Sequence, residues 1–331
     1  MIRETKTRTD LAKEIPLQTP LVVHIDTNNT CNFRCKFCTT GDHDLLKKNN
    51  RPLGEMSYIT FCKVIDDLTQ FERPVKDLLM HKNGEPLLHK DIAKMISYAK
   101  SKNVANRIIL VTNGSKLTPS LSRDLAATNV DIIQISVSHV TDEGYLKISN
   151  VNVSYDDIVG KVAYLYANIN HDKTRLIAKL MDTGLTDGER QKFIDDFSII
   201  TDEANIEHPI SYTQPTVKDT SLGLGNGTTN DNYRAVYKDI CTLPFYTMNI
   251  NFNGNVSACS FDWRHKHIMG NVLENTLFEI WNGEKYRNFR IMQASKQRDK
   301  NEFCVGCEAV YNLIDNIDSF GDDILKRIKI E

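Results

Sequence analysis

Six short runs rich in apolar residues, at 21–25, 78–80, 107–111, 131–137, 176–181 and more weakly 210–212, alternate with segments whose apolar residues recur near every 3.6 positions, at 59–68, 92–99, 117–126, 158–166 and 190–197. Parallel strands cannot be joined by a tight turn, so each pair needs a crossover, which is usually a helix. The alternation therefore predicts βαβ units built on a parallel sheet. Six repeats fall short of the eight that close a barrel, which makes the expected fold class α/β with a partial, TIM-like (β/α)6 barrel. At 331 residues, 40% of them hydrophobic, the chain is long enough to bury one large core or two.

The alternation stops at 218–233, KDTSLGLGNGTTNDNY, a stretch of Gly, Asn, Thr and Ser that suits a connection between domains. Beyond it Met248, Ile250 and Phe252 alternate with Asn, Asn253-Gly254 supplies a turn, and Val256 and Ala258 resume the alternation, which predicts a β-hairpin. Two short helices are expected from the apolar positions at 277–281 and 286–291, broken by Asn282-Gly283, and an amphipathic helical tail over 308–330. The expected organisation is an extension at 1–20, the barrel at 21–215, a linker at 216–235, a small second domain at 236–310 and a C-terminal helix at 311–331.

Forty-one Lys and Arg against 43 Asp and Glu give a net charge of −2, so no basic field points to nucleic acid or an anionic lipid surface. The first twenty residues, MIRETKTRTDLAKEIPLQTP, hold no apolar core of a signal peptide, and no run approaches the ~20 apolar residues that span a bilayer. The expectation is a cytoplasmic protein with neither membrane nor nucleic acid as a partner. In that reducing compartment, clustered cysteines serve as metal ligands or catalytic groups more often than as disulfides.

The eight cysteines lie at 31, 35, 38, 62, 241, 259, 304 and 307, which separates them into an early triplet and a late set of four, with Cys62 apart. Cys31, Cys35 and Cys38 follow the first expected strand. Zinc in a structural site takes four ligands, and neither His24 nor His43 has the spacing to complete one. Thiolates also hold iron and sulfide, and three of them on a four-iron cubane leave one iron open.

This triplet, with Phe37 just before its last cysteine, resembles that of the radical S-adenosylmethionine superfamily. The resemblance implies a 4Fe-4S cluster on Cys31, Cys35 and Cys38, S-adenosylmethionine chelated on the open iron, and Phe37 near the adenine. It further implies cleavage of the cofactor to a carbon radical that abstracts hydrogen, and an external electron donor of flavodoxin or ferredoxin type. Asn83-Gly84-Glu85-Pro86, after the second strand, resembles the family's Gly-Glu-Pro motif, so Gly84, Glu85 and Pro86 are expected at the methionyl amino group. Lys82 and Asn83 stand where the family more usually has small residues. Asn113 and Ser136, near the ends of the third and fourth strands, resemble further cofactor contacts, at strand ends where barrel enzymes place ligands.

Cys241, Cys259 and the Cys304-Val-Gly-Cys307 knuckle could hold zinc on spacing alone. Their surroundings, Cys241-Thr-Leu-Pro, the Asn-Gly hairpin into Cys259, and the segment from Gly270 through Trp281 to Arg287, resemble the SPASM/Twitch extension of the same superfamily. Full SPASM domains use seven cysteines for two clusters. No cysteine follows Cys307, so the resemblance implies one auxiliary 4Fe-4S cluster with all four ligands from the protein. A closed cluster cannot grip substrate, which leaves electron transfer as its role. Cys62, beside Phe61 and Ile65 on an expected helix, is a small buried residue by default.

The reaction expected from this combination is oxidation of a sugar, cyclitol or other small or carrier-linked polyol, with the auxiliary cluster as electron acceptor. Two alternatives stay open. An epimerase needs a hydrogen donor, for which Cys62 is the unassigned thiol and a tyrosine could also serve, and peptide maturases share the extension. Against a third class, a non-enzymatic iron-sulfur or zinc protein, stands the Gly-Glu-Pro motif at a strand end. Substrate contacts are expected from loops 41–54 and 213–233. The catalytic base is not assigned, although His81 and Lys82 lie at a suitable strand end.

Overall fold

The computed structural model describes residues 8–210, 219–224, 227–229 and 234–330. Its frame is one nine-stranded sheet in the order β6-β5-β4-β3-β2-β1-β7-β8-β9. The first six strands are β1 (Val22–Ile25), β2 (Val75–Leu79), β3 (Ala105–Thr112), β4 (Ile132–Val137), β5 (Arg175–Met181) and β6 (Glu203–Glu207). All are parallel to their neighbours. The helices Tyr58–Leu68, Ile92–Lys102, Pro119–Ala127, Tyr155–Asn168 and Asp187–Phe197 supply the expected crossovers. Ser57, Thr118, Ser154 and Thr186 cap their N-termini with a side-chain oxygen, satisfying amides that would otherwise lack a partner.

Strand alternation sorts the sheet into two chemically different faces. Val23, Ile25, Leu78, Ile108, Leu110, Ile133, Ile135, Leu176, Ala178 and Leu180 are buried and form the core beneath the helices. The residues between them include His24, Asp77, Arg107, Gln134, Ser136, Lys179, Glu203 and Glu207; Arg107 pairs with its registered partner Asp77 at 2.6 Å, while Arg175 reaches Glu203 at 3.0 Å and Lys179 reaches Glu207 at 2.5 Å diagonally between β5 and β6. The polar face is where a ligand can be held.

The sixth strand is Glu203–Glu207, upstream of the expected 210–212, of which 211 and 212 lie outside the described residues. The expectation rested on apolar content, whereas this edge strand is half-buried throughout and held by ion pairs to β5. A second departure concerns the expected small domain. Its hairpin, β7 (Thr247–Ile250) and β8 (Asn255–Ser257), turns through Gly254 at φ +83° and continues into β9 (Ile268–Asn271). β7 pairs in parallel with β1, Val22 to Thr247 through Ile25 to Ile250, so the C-terminal segment extends the barrel sheet.

The expected helices appear as Leu277–Asn282 and Glu284–Ala294. The tail is not one helix: it forms a short turn at Ala309–Asn312 and a helix only at Gly321–Ile330. The N-terminal extension packs back onto this region, with Trp281 Nε1 donating to the Leu17 carbonyl at 2.7 Å. Of the expected linker, 216–218, 225–226 and 230–233 fall outside the described residues.

Candidate functional site

The loop after β1 carries Cys31, Cys35 and Cys38, and two glycines hold it from either side. A Cβ on Gly84 would overlap the Asn28 carbonyl oxygen and stand 2.7 Å from Asn29 Cα, and one on Gly41 would overlap the Cys35 carbonyl. The Glu85 amide donates to the Thr30 carbonyl at 2.8 Å, so the Gly-Glu-Pro segment is a strut under the residue before Cys31. Glu85 itself is 2% exposed. Its carboxylate accepts from Thr112 Oγ1 at 2.6 Å and from the Leu87 and Asn113 amides at 2.9 and 2.8 Å. These three bonds fill most of its acceptor capacity and lock the ends of β2 and β3 together. Pro86 opens the short 3-10 turn that this carboxylate caps.

Asn113 is likewise engaged by the chain: its amide nitrogen donates to Asn32 Oδ1 at 3.1 Å, and its oxygen accepts from Ser115 Oγ at 2.6 Å. Asn32 lies between Cys31 and Phe33, so Asn113 steadies the cysteine loop. Ser136 sits on the polar face of β4 in register with Lys179. Phe37, Cys31, Cys38, Gly84 and Met181 line one cavity at the barrel mouth together with His24, His81 and Lys82.

The thiols are set for a metal. The Phe33 amide donates to Cys31 Sγ at 3.4 Å, and Ser149 Oγ lies 3.1 Å from Cys35 Sγ. Burial pushes Cys31 up to about 12 and Cys35 up to about 11, with the neighbouring thiols adding to the effect. Groups titrating that high become thiolates at neutral pH only when a metal replaces the proton.

Cys241, Cys259, Cys304 and Cys307 line a second, apolar cavity with Leu243, Pro244, Phe261, Phe289 and Phe303. Here too an amide two residues on, that of Phe261, donates to the first sulfur of its segment, Cys259, at 3.3 Å. Arg298 Nη2 donates to the Cys304 and Cys307 carbonyls at 2.9 and 2.7 Å, which fixes the knuckle, and Gly306 turns it at φ +66°. Burial pushes Cys241 up to about 12 and Cys304 to about 11. Among the described residues no three or more His, Cys, Asp or Glu have the geometry of a site for one metal ion. A four-iron cubane asks for something else, one thiolate per iron arranged around a wide centre.

The two cavities share a wall. Phe261 lines both; Ser260 and Trp263 face the barrel-mouth cavity, and Asp262 the four-cysteine cavity. This segment follows Cys259 directly and lies across the barrel mouth, with Trp263 packed on Leu46. Behind it is a buried polar cluster that sequence spacing gives no hint of. Asp26 Oδ1 accepts from the Asn83 amide at 2.7 Å, His265 Nε2 is 3.2 Å from Asn83 Nδ2, and Lys82 Nζ donates to Asn251 Oδ1 at 2.8 Å. Asp26, His265 and Asn251 come from three separate segments and meet only through the pairing of β1 with β7. Loop 41–54 is partly a helix, His43–Lys48, and of loop 213–233 only 219–224 and 227–229 are described. Cys62 lies on the outer helix Tyr58–Leu68, hydrogen-bonded to Tyr58 and outside both cavities.

Residues 25–197 match the family profile of the radical SAM superfamily, just over half of the chain, and residues 241–308 match the SPASM iron-sulfur cluster-binding domain. An S-adenosyl-L-methionine-dependent 2-deoxy-scyllo-inosamine dehydrogenase of Niallia circulans is 22% identical over 293 residues, covering 87% of this chain and 93% of that protein. A GTP 3',8-cyclase of Clostridium acetobutylicum is 26% identical over 173 residues, 52% of this chain and 51% of the relative. Among solved structures, BtrN in complex with AdoMet and 2-DOIA superposes with a TM-score of 0.57 at 19% identity, covering 90% of this chain and 94% of that one. Streptococcus suis SuiB bound to S-adenosylmethionine gives 0.64 at 16% identity, covering 92% and 75%. At these identities the structural likeness speaks for the fold.

Proposed function

The chain belongs to the radical SAM superfamily and carries a SPASM iron-sulfur domain, and from that premise we propose that it oxidises an alcohol carbon of a sugar, cyclitol or other small polyol. In this reading Cys31, Cys35 and Cys38 hold the cluster that binds S-adenosylmethionine, and Cys241, Cys259, Cys304 and Cys307 hold one auxiliary 4Fe-4S cluster. Phe37, Gly84, Glu85, Pro86, Asn113 and Ser136 form or brace the cofactor's seat, Glu85 and Asn113 chiefly by bracing. The domain limits follow the same division, 21–215 for the barrel and 236–310 for the auxiliary segment, with a flavodoxin- or ferredoxin-type protein as external donor.

The observation that carries the reading is the shared wall at Phe261. S-adenosylmethionine, when bound, supplies a carbon radical that removes one hydrogen atom from the substrate. A carbinol carbon that has lost hydrogen becomes a ketone by giving up one electron and the hydroxyl proton. The electron has a short path, since Phe261 separates the substrate cavity from the four-cysteine cavity and Ser260 is bonded directly to Cys259.

The proton needs an acceptor on the same side. Burial, with the charge of Lys82 close by, holds His24 down at about 4; burial, with His24 and Lys179 close by, holds His81 at about 3, so both are neutral and weakly basic. Burial also lowers the Lys82 pKa, partly offset by Asp26. A cavity lysine brought down in this way is the strongest base available there. Lys82 takes the proton, and Asn251 Oδ1 at 2.8 Å holds its amine against the wall. Epimerisation is less well served, because the one unassigned thiol, Cys62, lies on the outer helix.

The test is anaerobic reconstitution, reduction with dithionite, and incubation with S-adenosylmethionine and a panel of cyclitols and amino-cyclitols that includes 2-deoxy-scyllo-inosamine, each deuterated at its carbinol carbons. Deuterium in 5'-deoxyadenosine together with a product two hydrogens lighter is expected. Deuterium transfer with a product of inverted configuration and unchanged hydrogen count would replace oxidation with epimerisation.

A further inference from the structure

Arg51 follows the helix His43–Lys48, yet its side chain turns inward and is 5% exposed. Its Nη2 reaches the Asn29 carbonyl at 3.3 Å, whereas Nε and Nη1 are buried with no partner in the protein. It lines a cavity with Cys31, Thr30 and Thr40, and Cys31 and Thr40 line the barrel-mouth cavity as well. Burial pushes the guanidinium's pKa down, and the neighbouring Asp26 and Asp262 carboxylates push it back up. A guanidinium is a rigid fork of donors, and leaving two of them dry inside a protein is costly unless an acceptor arrives with the ligand. The expected occupant supplies acceptors, since an iron-sulfur cluster carries negative charge on its sulfurs and its reduction potential responds to hydrogen bonds and nearby charge.

We propose that Arg51 donates its Nε and Nη1 hydrogens to the sulfurs of the cluster held by Cys31, Cys35 and Cys38, and so sets how readily that cluster accepts an electron. The proposal rests on the assignment of those three cysteines as ligands. Arg51 touches the cluster and not the substrate, and its effect on the reaction runs through the cluster's potential. Asp26 and Asp262 favour the charged guanidinium in the interior, and the bond from Nη2 to the Asn29 carbonyl holds the fork against the loop.

The experiment is a redox titration of the anaerobically reconstituted full-length protein, followed by electron paramagnetic resonance on the signal that changes when S-adenosylmethionine is added. At a fixed potential R51Q is expected to lower the ratio of reduced to oxidised cluster about tenfold, or ~59 mV for a one-electron couple, and to leave the auxiliary signal in place. R51K, which keeps the charge and loses the fork, is expected to lower it about threefold. An intact signal with an unchanged ratio in R51Q overturns the proposal, as does weaker S-adenosylmethionine binding at an unchanged ratio, which would make the cofactor's carboxylate the acceptor. If R51Q holds no iron, R51K decides, and an unchanged ratio there is fatal. A wild-type protein with no S-adenosylmethionine-responsive signal removes the ligand assignment and this proposal with it.

Discussion

Gly84 packs so closely against Asn28 that a side chain of any kind on it would run into the Asn28 carbonyl oxygen. The neighbours on that side, Asn29 Cα and the Thr30 carbonyl, are also backbone, so no rotamer change can relieve the overlap. Gly84→Ala must therefore push the cysteine loop away from the strut that supports it, at a cost of ~3 kcal/mol. The expected result is selective loss of the S-adenosylmethionine-responsive cluster, with iron falling by about half. Gly160→Ala is the control: its Cβ would meet nothing within 4 Å on the helix Tyr155–Asn168, and helix propensity makes it neutral or stabilising by up to ~1 kcal/mol. Equal iron contents in the two variants would refute the strut.

Lys82 and Asn251 join the end of β2 to the end of β7 across the barrel mouth, at 2.8 Å. If Lys82 receives the hydroxyl proton, Lys82→Met leaves deuterium transfer to 5'-deoxyadenosine intact and lowers ketone yield ~100-fold, the range that a general base contributes. Burial lowers the lysine's pKa, so ketone formation in the wild type should rise with pH as the amine loses its proton, with a midpoint below that of an ordinary lysine. Lys82→Met should flatten that profile. Unchanged ketone yield in the variant would exclude Lys82 as the acceptor.

The parts of this protein that were legible in the sequence are those fixed by local chemistry. The loop geometry that gathers Cys31, Cys35 and Cys38 needs a short fixed spacing, and strands with one face against helices need runs such as Ile132–Val137. β6 escaped notice because Glu203 and Glu207 are held by Arg175 and Lys179, a pairing visible only once β5 lies beside it. The helix Asp142–Ser149, of about two turns, is too short for its periodicity to show. Asp26, Asn251 and His265 are functional candidates of the fold alone, since they meet only because β7 adds to β1, and Arg51 becomes one only when the loop after β1 folds its side chain onto the Asn29 carbonyl. Asp26 had one local signal, a carboxylate just past a strand end, the same cue that singled out Asn113.

His24 and His81 make the barrel mouth sensitive to acid. Their folded pKa values, about 4 and about 3, lie below the ~6.5 of an unfolded histidine. Between these limits the unfolded chain binds more protons, so stability is complete above about pH 6.5 and is lost as the pH falls. The pair should lose roughly 4 kcal/mol between pH 7 and pH 5. Asp26 and Glu85, raised by burial, oppose part of that loss. Urea midpoints at the two pH values should differ less in a His24→Gln, His81→Gln variant than in the wild type, and equal differences would assign the acid sensitivity elsewhere.

Cys259 stands where the two cavities meet, with its sulfur in one and the next residues, Ser260 and Phe261, walling the other. Replacing it separates the first half-reaction from the second. Hydrogen abstraction needs only the Cys31, Cys35 and Cys38 cluster, whereas ketone formation needs somewhere to put an electron. Cys259→Ala should therefore reduce iron from roughly eight to roughly four per chain, keep substrate-dependent 5'-deoxyadenosine formation within a few-fold of the wild type, and abolish the ketone. Cys35→Ala should do the reverse, retaining about four irons with no cleavage of S-adenosylmethionine. Iron and sulfide analysis alongside product analysis reads both variants at once. Ketone at the wild-type rate from Cys259→Ala would mean that the electron leaves by a route other than the Phe261 wall.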